Sequence, residues 1–205
     1  MRRVAGFGVL LFVAGFLLWS WAGDLEPPGP PGPTMVTLEE LGAKQDGPVD
    51  VCFDNVGRFV VCGDGAVKDN LTGLFWLENA NCFGTLNWAS ANIAAAQLAD
   101  GQCGLTDGSS PGDWRLPTDA EWQVIIDQAA ANGCVFPGPF VPNTFGTGCW
   151  SEGDPFAGVE VGNYWSSSTS ITNPVNARFA NLNQGRFFGT SKTGFFYVWP
   201  VRAGP

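Results

Sequence analysis

The 205-residue chain contains no histidine, and only 14% of its residues are charged. Without an imidazole, neither a Ser-His-Asp nor a Cys-His constellation can be assembled, and the usual general base near neutral pH is missing. Basic residues are scarce: 10 Lys and Arg stand against 19 Asp and Glu, a formal charge of −9. A chain of that sign repels phosphate, which excludes nucleic acid and anionic membrane surfaces as partners. No two cysteines have the close spacing of zinc ligands, so no metal site is expected from them. Methionine and tyrosine occur only twice each, whereas there are 9 Trp, 16 Phe and 28 Gly. That composition describes a loop-rich fold pinned by large aromatic side chains.

Long apolar runs are also absent after the N-terminus. There, Arg2 and Arg3 precede an unbroken apolar stretch from Val4 to about Trp19, and Ser20 and Ala22 have the spacing of a signal-peptidase site. Residues 1–22 therefore read as a signal peptide cleaved after Ala22, or as an uncleaved N-terminal anchor that would be the chain's one membrane contact. Cleavage would leave 8 basic against 19 acidic residues, or −11. Either reading exports the rest of the chain, to the periplasm, the cell surface or the medium. Residues 23–48, rich in proline and acid, read as an extended stalk whose two Gly-X-Y triplets are too few for a collagen helix.

Export gives the six cysteines a role, since an even number in an oxidising compartment reads as a disulfide framework. Nearest-neighbour pairing joins Cys52 to Cys62, Cys82 to Cys103 and Cys134 to Cys149. The first pair would clip a hairpin over residues 49–66, in which Val49, Val51 and Phe53 alternate on one side of a turn and Phe59 and Val61 on the other. Leu74 to Leu77 reads as a second strand. Trp88, Ala91, Ala95 and Leu98 then fall at helical spacing after a cap at Thr85 or Asn87, with Gly101 as the stop. Cys82 and Cys103 would tie the two flanks of this helix.

The segment "GDWRLPTDAEW" combines a helix start with unexplained residues. Thr118 and Glu121 fit a capping box, Pro117 keeps Leu116 extended, and Trp122, Ile125, Ile126 and Ala129 share one face up to Asn132-Gly133. Trp114 and Arg115 are not needed for capping. The expectation is that Arg115 stacks on tryptophan and pairs with Asp113, Asp119 or a carbonyl, serving the frame rather than a site. Carboxylates such as Asp113 and Asp119 read as exposed loop and helix-start groups rather than an acid-base pair.

Residues 134–149, with three prolines and three glycines, read as a long irregular loop stapled by its terminal cysteines. Three strand-like runs follow, "NYWSSSTS", "NARFANLNQGRFFGTSK" and "GFFYVWPVRAG", implying a small terminal antiparallel sheet with turns at 183–185 and near Gly194. The stretch from Trp150 to Arg178 mixes aromatic, amide and hydroxyl groups of the kind found in recognition loops. Candidate ligand contacts are Trp150, Asn163, Tyr164, Ser167, Asn173, Asn176 and Arg178. Trp150 leads them, since Cys149 would hold its backbone while the ring stays free to stack; Trp114, Trp122 and Trp165 read as core.

The strings "TGLFWLENANCFGTLNW", "CGLTDGSSPGDWRLPTDAEW", "YWSSS" and "YVWPVRAG", in that order, resemble the Lcl C-terminal domain family of bacterial domains from about Val67 to Gly204. The resemblance implies an α+β, C-type-lectin-like fold over residues 67–205: two helices, a twisted antiparallel sheet whose first and last strands pair, and a long loop region. "RLPTDAEW" is also similar to the formylglycine-generating, sulfatase-modifying enzymes of related fold. Their copper-dependent oxidation uses a cysteine pair late in the domain, and nothing after Cys149 is a cysteine. The expected function is thus an exported recognition or adhesion module for a glycan or protein, not an enzyme and without a cofactor. Calcium through Glu152, Asp154 or Glu160 lacks the lectin-type signatures, and "TNPVN" at 172–176 is a poor substitute. An enzyme on the formylglycine-generating fold, or a structural envelope protein, is the alternative.

Overall fold

A computed structural model describes residue 52 and residues 56–204. The N-terminal apolar segment, the stalk and the 49–51 and 53 arm of the expected hairpin lie outside the described residues. Among the described residues the domain is α+β, with two helices, two five-stranded and mostly antiparallel sheets, and three disulfides.

The first sheet has the order β1 (Phe59–Val61), β2 (Ala66–Asp69), β3 (Phe75–Leu77), β10 (Val201–Arg202), β5 (Trp114–Arg115), all antiparallel. The second runs β4 (Thr85–Leu86), β9 (Phe196–Tyr197), β6 (Asn163–Thr169), β7 (Asn176–Asn181), β8 (Arg186–Ser191), with β6 and β9 parallel. The expected terminal sheet is therefore divided. β6 to β8 form a meander, but the last run splits at Pro200, which has no N–H to continue a ladder. β9 stays in the second sheet and β10 crosses to the first, where Val201 faces Trp76.

Sheet alternation feeds two cores. Tyr164 of β6 and its partner Ala180 enter the larger cluster, with Trp76, Phe156, Trp199 and residues of α2 (Asp119–Ala131). The next pair, Trp165 and Phe179, enters the smaller one against Ala91 and Ala95 of α1 (Trp88–Gln97). Trp76, Trp122 and Trp199 meet edge to face at centroid separations of 5.1–5.6 Å, the geometry that ring quadrupoles favour.

Helix starts follow the sequence. Asn87, rather than Thr85, caps α1 by accepting from the Ser90 N–H, and Thr85 lies in β4. At α2 the capping box is complete: Thr118 Oγ1 accepts from the Glu121 N–H, and Glu121 Oε2 accepts from the Thr118 N–H at 2.7 Å. The buried face of α2 is Trp122, Ile125, Ile126 and Ala129, as the spacing predicts. The three disulfides join the expected neighbours, and Cys82–Cys103 brackets α1. Residues 134–149 carry only an isolated bridge between Pro142 and Cys149. Gly65, at φ +86°, lies so close to this framework that a Cβ there would sit 2.5 Å from the Gly104 carbonyl oxygen.

One buried ion pair escaped the sequence reading. Arg58 holds Asp69 through two hydrogen bonds of 3.2 and 2.9 Å, its remaining nitrogen donates to Gln128 Oε1 at 2.9 Å, and both side chains are all but inaccessible. Removing one partner strands the other charge. Arg58→Ala is expected to cost about 3–5 kcal/mol in chemical denaturation, and a loss below ~1 kcal/mol would show that water reaches Asp69.

Arg115 meets the expectation in part: Nη1 donates to the Leu116 carbonyl at 3.1 Å, but the side chain does not stack on Trp114, which is covered by Arg202 at 5.5 Å, and its acid is neither Asp113 nor Asp119. It grips both oxygens of Glu121, at 2.8 and 2.6 Å, because the capping box already turns that carboxylate back toward β5. Burial alone would raise the Glu121 carboxyl, but the hydrogen bonds from Arg115 and the Thr118 N–H outweigh it and hold it below the usual glutamate range. The Glu121 bond in turn raises the Arg115 guanidinium against the opposing effect of burial. A depressed folded value contributes stability above the ordinary glutamate range and loses it as pH falls through the folded value. Thermal melts should thus weaken on acidification through that window. Glu121→Gln, which keeps the capping bond, should flatten the dependence there, and an unaltered profile would remove Glu121 from the acid response. Since Arg115 is nearly half exposed, Arg115→Ala should cost under about 1 kcal/mol.

Candidate functional site

The "RLPTD" and "YWSSS" strings, far apart in sequence, are joined in the fold. Opposite the single residue Arg178, β6 carries the three residues Ser166–Ser168 between the Trp165–Phe179 and Thr169–Ala177 pairs, so the strand bulges. The bulge is aimed at the start of α2. The Ser167 N–H donates to Pro117 O at 2.8 Å, Ser168 Oγ accepts from the Asp119 N–H at 3.2 Å, and Ser166 Oγ donates to Asp119 Oδ1 at 2.6 Å. From the other side the Trp88 indole N–H donates to Ser166 O at 2.8 Å, and from within α2 the Trp122 indole donates to Trp165 O. Pro117, Thr118 and the serine run are a frame.

Beyond this frame the chain forms an open cleft of about 650 Å³. One wall is Asp119 at the first turn of α2 together with Arg178 of β7; the other is Ser168 to Thr172, where β6 ends and turns toward β7. Asp119 Oδ2 accepts from Arg178 Nε, and both side chains are partly exposed, at 27% and 37%. Both terminal nitrogens of Arg178 lack a hydrogen-bond partner among the described residues, as does the Thr169 hydroxyl. Ile171, 98% exposed, lines the cleft, and Val175 at 68% lies in the same loop. No aromatic ring lines it.

A second depression, of about 450 Å³, lies around Asp107, Gly112 and Arg202. Its cation is already occupied. Arg202 pairs with the buried Asp107 at 3.1 Å and packs 4.3 Å above the Phe75 ring.

Of the residues expected to touch a ligand, Arg178 lines the larger cleft, Asn173 belongs to the loop that bounds it, and Asn176 is the first residue of β7. Asn173 Oδ1 accepts from the Val175 N–H and shapes that loop. Ser167 is bonded into the bulge. One expectation is corrected, and two residues are placed away from this cleft. Tyr164 is fully buried, and its hydroxyl accepts from the Glu160 N–H at 2.7 Å; burial pushes the phenol well above its ordinary value. Asn163 sits at the far end of β6, about 20 Å from Thr169 at strand rise, and accepts from the Asn181 amide across the ladder. The Trp150 ring is not free: its indole donates to Phe156 O at 3.0 Å and the side chain packs against the larger core.

The hydroxyl run Thr169, Ser170, Thr172 and the lone Ile171 were missed. Their signal was an apolar residue stranded among turn formers, a pattern that suits a loop tip as readily as a site. The carboxylates weighed for calcium hold loops: Glu152 accepts from the Gly158 N–H, Asp154 from Thr144, and Glu160 from the Asn81 amide. Among the described residues no three acidic or sulfur groups are clustered to hold a metal ion, and no helix is long and apolar enough to cross a membrane.

The motifs that meet at the bulge all fall within residues 65–202, the span matched by the model of the Lcl C-terminal domain. No curated protein matches the chain. With the match covering more than half of the sequence, the chain belongs to the Lcl C-terminal domain family.

Proposed function

We propose that the chain is an exported recognition or adhesion module that holds a protein or glycan ligand in the Arg178 cleft of a C-type-lectin-like scaffold. The single observation that carries this reading is an accessible cation with its terminal nitrogens unengaged, in a cleft whose walls are braced from behind by the α2–β6 contacts. Loops fixed by a rigid scaffold present side chains without unfolding a core. Three disulfides fit the oxidising compartment that the signal-like N-terminus implies. The reading is binding rather than catalysis, since Asp119, the carboxylate at the cleft, is committed to Arg178 and Ser166.

A protein ligand is favoured over a sugar stacked on a ring. Five of the seven described tryptophans, Trp76, Trp114, Trp122, Trp165 and Trp199, are buried. Trp150 is bonded into its loop, and Trp88 lies under Lys192 at 4.2 Å.

The full chain, immobilised and exposed to glycan arrays and to surface-protein extracts, should retain a ligand, and Ile171→Ser should reduce retention. Trp150→Ala should instead lower the melting temperature, costing about 2–3 kcal/mol, somewhat less than a fully buried tryptophan. Retention lost with Trp150→Ala at unchanged stability would return the site to the 134–149 loop.

A further inference from the structure

Resting on that reading, we propose that the Arg178 cleft takes the free C-terminal carboxylate of a peptide chain whose last side chain is apolar. Four arginines form ion pairs among the described residues, and in three of them the terminal nitrogens are at least partly bonded. Arg58 and Arg115 use both terminal nitrogens, and Arg202 donates one to Ala203 O. Of these four, Arg178 is the one that keeps both terminal nitrogens without a hydrogen bond, its guanidinium lying 5.8 Å from the Phe187 ring. A guanidinium has two faces for carboxylates, and the parallel pair of N–H groups on the terminal face matches the two oxygens of a second one. A lone phosphate would find the same fork but no use for the apolar wall beside it.

That wall sets the rest of the ligand. Ile171 is held almost wholly in water at the edge of the cleft, with Val175 in the same loop, so an apolar side chain attached next to the carboxylate would cover surface that is otherwise hydrated. The unbonded Thr169 hydroxyl can donate to the same carboxylate or to the preceding peptide carbonyl. Asp119 does not compete for the fork, because its two oxygens are taken up by Arg178 Nε and the Ser166 hydroxyl. A saccharide acid would satisfy the cation and hydroxyls but leave Ile171 uncovered, and no aromatic residue lines the cleft to face its pyranose.

The test titrates the full chain with acetyl-Ala-Leu bearing a free carboxylate, with its C-terminal amide, and with glucuronate. The acid should bind at least about tenfold more tightly than the amide, as a charge-assisted pair requires, and more tightly than glucuronate. Arg178→Lys keeps the charge but loses the fork and should weaken the acid about tenfold or more. Because Arg178 also braces α2, Ile171→Ser is the second variant. Its exposed side chain bears no load in the fold, and it should weaken the acid about threefold to tenfold with no change in melting temperature. Equal binding of acid and amide, glucuronate binding at least as tightly as the dipeptide, or an Ile171→Ser variant that binds like the parent would each overturn the proposal. If a surface protein is retained while acid and amide bind alike, recognition stands and the carboxylate assignment falls.

Discussion

A buried tryptophan places an N–H as well as a ring, and three of the buried indoles here use that N–H to tie distant elements, although the Trp76 N–H stays without a partner among the described residues. The indole of Trp122 donates to Trp165 O, that of Trp165 to Leu86 O, and that of Trp199 to Leu77 O. Each bond joins elements distant in sequence: α2 to β6, β6 to β4, the chain's end to β3. The rings fill the two cores on either face of the second sheet, and the N–H groups fix the register with which those faces meet. With neither core large, orientation by hydrogen bond does what bulk packing alone would leave loose. A rotation of β6 by one residue would exchange Tyr164 with Trp165 and break both cores at once.

That constraint determines where irregular backbone is allowed. β6 must run regularly through Asn163 to Trp165, where both faces are buried, and only beyond Trp165 is it free to bulge. The bulge meets the start of α2, whose entry is fixed by Pro117 and the capping box. The cleft is the space left where the strand then turns away. Its rigidity is inherited from contacts behind it, so its exposed residues can vary in type without unsettling the fold.

Charge is scarce, and each of the four ion-paired arginines among the described residues has an identifiable use. Arg58 is buried with Asp69 and Gln128, Arg202 with Asp107, and Arg115 closes the helix start through Glu121. Arg178 is shared between frame and cleft. Its Nε joins β7 to α2, its guanidinium lies 5.8 Å from the Phe187 ring, and its terminal nitrogens make no hydrogen bond among the described residues.

The sequence by itself determined the local structure: both helices with their caps and buried faces, the three nearest-neighbour disulfides, the irregular 134–149 loop and the turn at 183–185. These features rest on interactions within a few residues, or on cysteines close along the chain, and their residue types are diagnostic. Arg115 ties β5 to the helix start through Glu121, an acid that was not legible, because the pairing depends on the angle at which β5 enters the helix. At the proposed cleft, Arg178 and the neighbouring Asn173 and Asn176 are the residues that the sequence had singled out. Trp150 and Tyr164 looked like ligand contacts because an aromatic residue beside a loop has the same sequence signature whether its ring faces water or a core. Only the tertiary structure decided that the Tyr164 ring is buried and the Trp150 ring packs against the core, that the terminal strands divide between two sheets, and that a bulge opposite Arg178 brings it to Asp119. Each of these depends on which distant backbone carbonyl an indole or serine reaches, and no local pattern of residues encodes that choice.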